Sequence, residues 1–452
     1  MTERSMTDFA NADVQNVWHH LMLHQGKAPM IFVEGQGLRL TDIEGKEYLD
    51  ATSGGVWCVN VGYGRDEIAE AVCAQMKQLP YYAATGGNLP SIEFSEALLG
   101  YMPGLTRVYY SNSGSEANEK AYKMVRLLAQ NSDKKDKKKI LYRYRDYHGT
   151  TMGALSSSGQ PQRKEHFGPF VEGFVEVPHA CCYRCAFDLD YPGCNLECAK
   201  AVEEIILREG PDTVGAAIFE PITAGGGVIA PVDEYYDEVA AICKKYDVLL
   251  IIDEVVCGMG RTGTMFGYEH FGLAPDMVTL AKGVASAYQP ISCTVTSEDV
   301  FLRLQSTDDK LSYFRDISTY GGCTGGPVAA LENLRIIERE GLLERVLSMG
   351  TYFKEGLFEL LDHPQVGDVR GKGLLIGVEF VLDKATKAPL PEESLIRLCG
   401  EMAARGVLAG RTNRSFADLN NTMSFAPAYV ITKDDVDTIL RVLREAMKVV
   451  LH

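Results

Sequence analysis

No stretch of this sequence stays apolar long enough to cross a bilayer, and the first sixteen residues have neither the apolar core of an export signal nor an Arg-rich transit pattern. The cytoplasm is the expected compartment. Cations are in deficit: 45 Lys and Arg stand against 61 Asp and Glu, a formal net charge of −16. That balance argues against nucleic acid or anionic membrane as partner and favours small solutes. Internal repeats and low-complexity tracts are absent, and the one basic run, Lys134 to Lys139, reads as a solvated loop. A disulfide framework is not expected either. The twelve cysteines are scattered through a large chain without an export signal and read as reduced thiols.

What is present is enough apolar material, 46% of 452 residues, for a large core and more than one domain. Short apolar runs (Val108 to Tyr110, Ile140 to Tyr144, Val214 to Phe219, Val248 to Ile252, Met277 to Ala281) alternate with segments of helical spacing such as Glu116 to Gln130 and Glu234 to Lys245. The pattern predicts an α/β domain with buried parallel strands, and ligands at the strands' carboxyl ends. From about Gly325 the character changes to a long helical run followed by strand-like Leu374 to Val381 and Met423 to Phe425. The expected division is a segment 1–64 packing beside a C-terminal domain 326–452, with the large domain at 65–325.

Three segments carry chemistry. In Tyr110-Ser111-Asn112-Ser113-Gly114-Ser115-Glu116-Ala117-Asn118 a strand passes through small residues into a helix, offering amides and hydroxyls to an anion. It lacks the spacing and the lysine of a nucleotide-binding P-loop, and Ser and Asn there also serve as plain caps. Leu249 to Val255 is an apolar strand ending in Asp253, which either caps the next helix or pairs with a cationic nitrogen. Val278 to Gly283 ends a second apolar strand on Lys282, where burial favours the neutral, nucleophilic amine.

Together these segments resemble the class III (omega) aminotransferases, from about Val17 to the C-terminus. The resemblance implies fold type I of the pyridoxal 5'-phosphate enzymes: a large domain with a mostly parallel seven-stranded sheet and a smaller α+β domain built from the chain ends. By the same resemblance Gly114 and Ser115 bind the cofactor phosphate, Tyr147 stacks on the pyridine ring, Val255 packs on its other face, Glu220 sits nearby, Asp253 pairs with the ring nitrogen, and Lys282 bonds the cofactor aldehyde. Ser318-Thr319-Tyr320-Gly321-Gly322 resembles the family segment whose threonine reaches the partner subunit's phosphate, which implies a homodimer or homotetramer. Gly55 to Gly64 looks like the omega-amine:pyruvate branch, whose tryptophan, here Trp57, lines the substrate pocket together with Ala84. Arg411 best matches the arginine for the substrate acid, with Arg414 close by.

Ile317 to Ile337 and Val17 to Leu23 are most similar to members that move an amino group from taurine to pyruvate. Beta-alanine or another omega-amine is the alternative donor, and an aminomutase, which needs no separate acceptor, is the remote one. Cys181, Cys182, Cys185, Cys194 and Cys198 have spacings that permit zinc or an iron–sulfur cluster. The segment Tyr183 to Cys198 resembles a loop of related aminotransferases that holds no metal, so none is expected.

Overall fold

The computed structural model describes residues 5–83, 85–305 and 309–451; Ala84 lies outside them. Seven strands build the central sheet: β1 (Leu105–Ser111), β2 (Lys139–Arg143), β3 (Phe174–Val177), β4 (Val214–Phe219), β5 (Leu249–Asp253), β6 (Met277–Leu280) and β7 (Ser292–Ser297), in the spatial order β1-β7-β6-β5-β4-β2-β3. Strand β7 runs antiparallel to both its neighbours, and the other six are parallel to one another. Every residue of β4, β5 and β6 is buried. These three strands therefore read as unbroken apolar runs, as parallel strands covered on both faces must.

Helix α1 (Gly114–Gln130) turns Ala117, Ala121, Met124, Val125 and Leu128 inward at three- and four-residue spacing. The helix Asp233–Lys245 does the same with Tyr235, Tyr236, Val239, Ile242 and Cys243. Two strands of the sheet, β3 and β7, were not among the runs predicted from sequence. Strand β3 has only four residues, and β7 is Ser-Cys-Thr-Val-Thr-Ser, whose hydroxyl groups mask a buried strand. Thr294 shows how such a residue is accommodated: its Oγ1 donates to the Ala117 carbonyl of α1 at 2.8 Å.

The chain ends meet each other. Phe32–Gln36, Arg39–Asp42 and Glu47–Asp50 form an antiparallel meander, and Val407–Leu408 adds to it in parallel beside Glu47–Asp50. A further sheet joins Val366–Lys372, Leu375–Asp383, Thr422–Phe425 and Gly410–Arg411. Arg261, fully buried, links these parts: its guanidinium donates to the carbonyls of Pro427 (2.6 Å) and Leu374 (3.2 Å) and to Ser53 Oγ (3.1 Å). Among the described residues no helix is long and apolar enough to cross a membrane.

Candidate active site

Topology gathers residues far apart in sequence at one end of the sheet. Asp253 ends β5 and pairs across to Thr279 of β6, and Lys282 follows two residues after β6 ends. Glu220 follows β4 directly, Tyr147 lies four residues beyond β2, and Gly114 opens α1 just after β1. All are at carboxyl ends, where an α/β sheet places its ligands.

Asp253 is 2% exposed. Its Oδ2 accepts from Asn118 Nδ2 and His148 Nδ1, both at 2.8 Å, and its Oδ1 accepts from the Val255 amide at 3.0 Å. Two carboxylate oxygens accept about four hydrogen bonds, so one place remains for an outside N–H. Asn118 and His148 are positioning residues that sequence reasoning passed over, although Asn118 ends the first of the three segments and His148 directly follows Tyr147. Asn118 lies on the buried face of α1, and its Nδ2 also donates to the His148 carbonyl at 2.8 Å.

Glu220 Oε1 accepts from the Tyr147 amide (2.8 Å) and Oε2 from the Ala224 amide (3.0 Å), which fixes the backbone that carries Tyr147. Burial, then Asp146 and Asp253, push the Glu220 carboxyl well above the usual carboxylate range. At the start of α1, Ser113 caps the helix by accepting from the Glu116 amide. The first-turn amides of Gly114 and Ser115 have no acceptor within the helix. Ser115 Oγ accepts from the Thr150 amide at 3.0 Å. A Cβ on Gly114 would stand 2.9 Å from Val255 Cγ2, so glycine is what lets the two segments close up.

Lys282 takes a left-handed backbone conformation (φ 43°), unusual for a residue with a side chain and costing on the order of 1–3 kcal/mol. Its Nζ lies 5.1 Å from the Trp57 ring centre. Trp57 is held by an irregular turn, Ser53–Trp57, pinned by Asp50: Oδ1 accepts from the Thr52 amide (2.8 Å), and Oδ2 from the Gly54 amide (2.7 Å) and the Tyr63 hydroxyl (2.8 Å).

The remaining predicted residues are placed as follows. Arg411 donates to Glu392 Oε1 (2.9 Å) and to the Thr412 carbonyl (3.1 Å), and Arg414 reaches the same Glu392 oxygen at 3.4 Å. Thr319 is exposed on a short turn, its carbonyl accepting from the Tyr81 hydroxyl at 2.8 Å, while Ser318 Oγ lies 3.2 Å from Ser111 Oγ at the end of β1. The twelve cysteines are unbonded, and Cys198 is pushed up to about 11 by burial and by neighbouring Cys182, Cys185 and Cys194. Among the described residues no three His, Cys, Asp or Glu side chains form a group that could hold a metal ion.

The arrangement suits a phosphorylated pyridine aldehyde. Free amides at α1 are donors of the kind a phosphate takes, the open acceptor place on Asp253 is of the kind a ring N–H takes, and the Lys282 amine on the neighbouring strand end is the nucleophile an aldehyde would need.

Comparison with known proteins agrees with this geometry. The class-III aminotransferase family matches residues 22–447. The chain is 54% identical to a taurine–pyruvate aminotransferase of Rhodobacter capsulatus, covering 97% of this chain and 96% of that protein. It is 53% identical to a hypotaurine/taurine–pyruvate aminotransferase of Paracoccus denitrificans, over 99% and 98%. Among solved structures, the omega transaminase from Pseudomonas jessenii in complex with PMP superposes with a TM-score of 0.93 at 33% identity, covering 99% of each chain. Matched over nearly its whole length by the family and by these relatives, the chain belongs to the class-III aminotransferases.

Proposed function

We propose that the protein transfers the amino group of taurine to pyruvate, yielding sulfoacetaldehyde and alanine, with pyridoxal 5'-phosphate as cofactor. The observation that carries the chemistry is Asp253 and Lys282 on adjacent strand ends; the choice of substrate is supported by near full-length similarity to relatives with that activity.

When bound, the cofactor supplies an aldehyde that exchanges amines and a cationic ring that draws electrons from the reacting carbon. The Gly114 and Ser115 amides would hold the phosphate, and Thr319, exposed on its turn, would serve the phosphate of the other subunit. Tyr147 and Val255 would cover the two faces of the ring. Asp253, oriented by Asn118 and His148, holds the proton on the ring nitrogen, and Glu220 fixes the backbone beneath Tyr147. Lys282 would hold the cofactor aldehyde, and its free amine, at the strand end beside Asp253, would be the base that moves the proton at the substrate carbon. The same residues run the steps in reverse when pyruvate enters. Trp57 bounds the substrate space, and Arg411 receives the acid group in exchange for Glu392.

We further infer a homodimer working in the cytoplasm. Its support is the exposed apolar side chains Ile317 and Tyr320, which flank Ser318 beside Ser111 at the sheet's end, together with exposed Trp18, and the twelve unbonded thiols. The test of substrate is a panel of taurine, beta-alanine and an uncharged amine, each assayed with pyruvate for alanine formed. Taurine should be the best donor. Use of beta-alanine without taurine would move the assignment to another omega-amine, and amine turnover without any acceptor would point to an aminomutase.

A further inference from the structure

Both arginines near the expected acid site already have a carboxylate. Arg411 and Arg414 share Glu392, at 2.9 and 3.4 Å. A third guanidinium does not. Arg163 stands on the short helical turn Pro161–Lys164, its Cζ 5.5 Å from the Tyr147 ring centre. Its Nε is buried without a partner, and among the described residues its side chain makes no hydrogen bond or ion pair. The neighbouring Lys164 shows that the turn is otherwise engaged: its Nζ donates to the Tyr142 hydroxyl and the Ser156 carbonyl, both at 3.1 Å. Burial holds the Arg163 guanidinium below the usual arginine range, Tyr147 opposes this, and Arg414 adds to the lowering. Two cations therefore face one region that no carboxylate of Arg163's own fills.

That region is tied to the site on two sides. The Gln162 amide donates to the Ser415 carbonyl, and Asn420 Nδ2 donates both to Gln162 Oε1 (2.8 Å) and to Glu392 Oε2 (3.2 Å). The Arg163 turn and the loop bearing Arg411 and Arg414 are thus one hydrogen-bonded unit. On the other side, a Cβ on Gly225 would meet Gln160 Nε2 at 3.3 Å and Trp57 Cη2 at 3.9 Å, so the residue that opens the Arg163 turn adjoins the tryptophan beside Lys282. Arg145, also without a side-chain hydrogen bond, differs: it is 3% exposed and has Glu379 nearby as a counter-charge.

We propose that Arg163, beside the Tyr147 ring, is the standing counter-ion for the acid group of both substrates, the sulfonate of the donor and the carboxylate of the acceptor. A half-buried guanidinium without a partner gains most from an arriving oxyanion, because the cost of its desolvation has already been met in folding. Arg411 must first give up Glu392, so it contributes only the difference between two carboxylates. The inference rests on the acidic substrates of the proposed function.

The experiment uses the cofactor-loaded enzyme and its Arg163→Gln and Arg163→Lys variants, with Arg411→Gln alongside. It measures the KM of taurine and of pyruvate, inhibition by isethionate (taurine with a hydroxyl in place of the amine), and the single-turnover half-reaction of isopropylamine, which has no acid group. Arg163→Gln should raise both KM values and the isethionate constant about tenfold or more, while isopropylamine changes less than about twofold. Arg163→Lys should recover part of the loss and decides the matter if the glutamine variant fails to fold. Unchanged constants for pyruvate and isethionate, or an equal loss with isopropylamine, would overturn the role. If wild-type enzyme ignores taurine, the substrate assignment falls, and the pyruvate measurement still decides Arg163.

Discussion

Three donors converge on Asp253, and only one of them, the Val255 amide, is close to it in sequence. This divides what could be read beforehand from what could not. Lys282 and Asp253 stood out as charged residues at the ends of apolar strands, a pattern visible without a structure. The His148 and Asn118 contacts span 105 and 135 positions, and nothing local signals them. Lys282→Ala is expected to abolish turnover and the absorbance of the lysine-bound cofactor, checked by spectrum and alanine assay of purified protein. Asp253→Asn should keep part of the cofactor yet lower kcat about a hundredfold or more, because a neutral amide cannot hold a proton on the ring nitrogen. Undiminished kcat would make the carboxylate structural. Arg411→Ala should weaken taurine and pyruvate together. His179 offers a prediction about pH: burial, then Arg145 and Arg143, push it down from 6.5 to about 3. A depressed histidine contributes stability that is complete above the unfolded value and lost as pH falls. Denaturation midpoints should therefore decline from about pH 6.5 towards 3, by at most ~1.4 kcal/mol per pH unit from this group, and the His179→Gln variant should flatten that slope.

At the scale of elements, the strongest apolar strands, β4 to β6, were legible within a residue or two because burial on both faces leaves no polar alternation to misread. Strand β7 was not, since its Ser and Thr hydroxyls hide a buried strand; that of Thr294 is spent on the Ala117 carbonyl. Helix α1 was legible in type, while its first residue, Gly114, gained its meaning only from Val255 across the site. Gly114→Ala places a methyl where 2.9 Å is available. Val255 is β-branched and has few rotamers to retreat into, so the expected result is weakened cofactor retention, read as the fraction of cofactor lost on dialysis, with the circular dichroism spectrum unchanged. The C-terminal helix Lys433–Val450 carries a capping box in which the Thr432 hydroxyl and the Asp435 carboxylate serve each other's amides. Thr432→Ala should cost about 1 kcal/mol in denaturant unfolding.

At the scale of the molecule, a single chain leaves Trp18 90% exposed, with Ile317 and Tyr320 at about two thirds. Isolated exposed apolar residues are ordinary, but Ile317 and Tyr320 stand together beside the Ser111 end of the sheet, and such neighbouring apolar side chains mark a surface for another protein. Tyr320→Asp should shift the enzyme from dimer to monomer in sedimentation and make specific activity fall on dilution, while wild type holds its activity. An unchanged sedimentation coefficient would place the interface elsewhere. The substrate itself was readable only through resemblance, since the residues proposed to receive it, Trp57, Arg163 and Arg411, come from three parts of the chain whose approach no local pattern encodes.

The meeting of the chain ends has a consequence for synthesis. The Ser53 hydroxyl donates to the Ala426 carbonyl, 373 positions further on, and the strand Glu47–Asp50 finds its parallel neighbour only in Val407–Leu408. A ribosome adding about 5–20 residues per second needs on the order of tens of seconds to cover that interval. Throughout that time the nascent N-terminal meander has an open edge, and the turn that will present Trp57 has no carbonyl to rest on. The large sheet, whose strands are all made within the first two thirds of translation, can form during the wait. The turn that presents Trp57 is thus among the last parts of the molecule to be completed, waiting on the strand Thr422–Phe425 and the Ala426 carbonyl just beyond it.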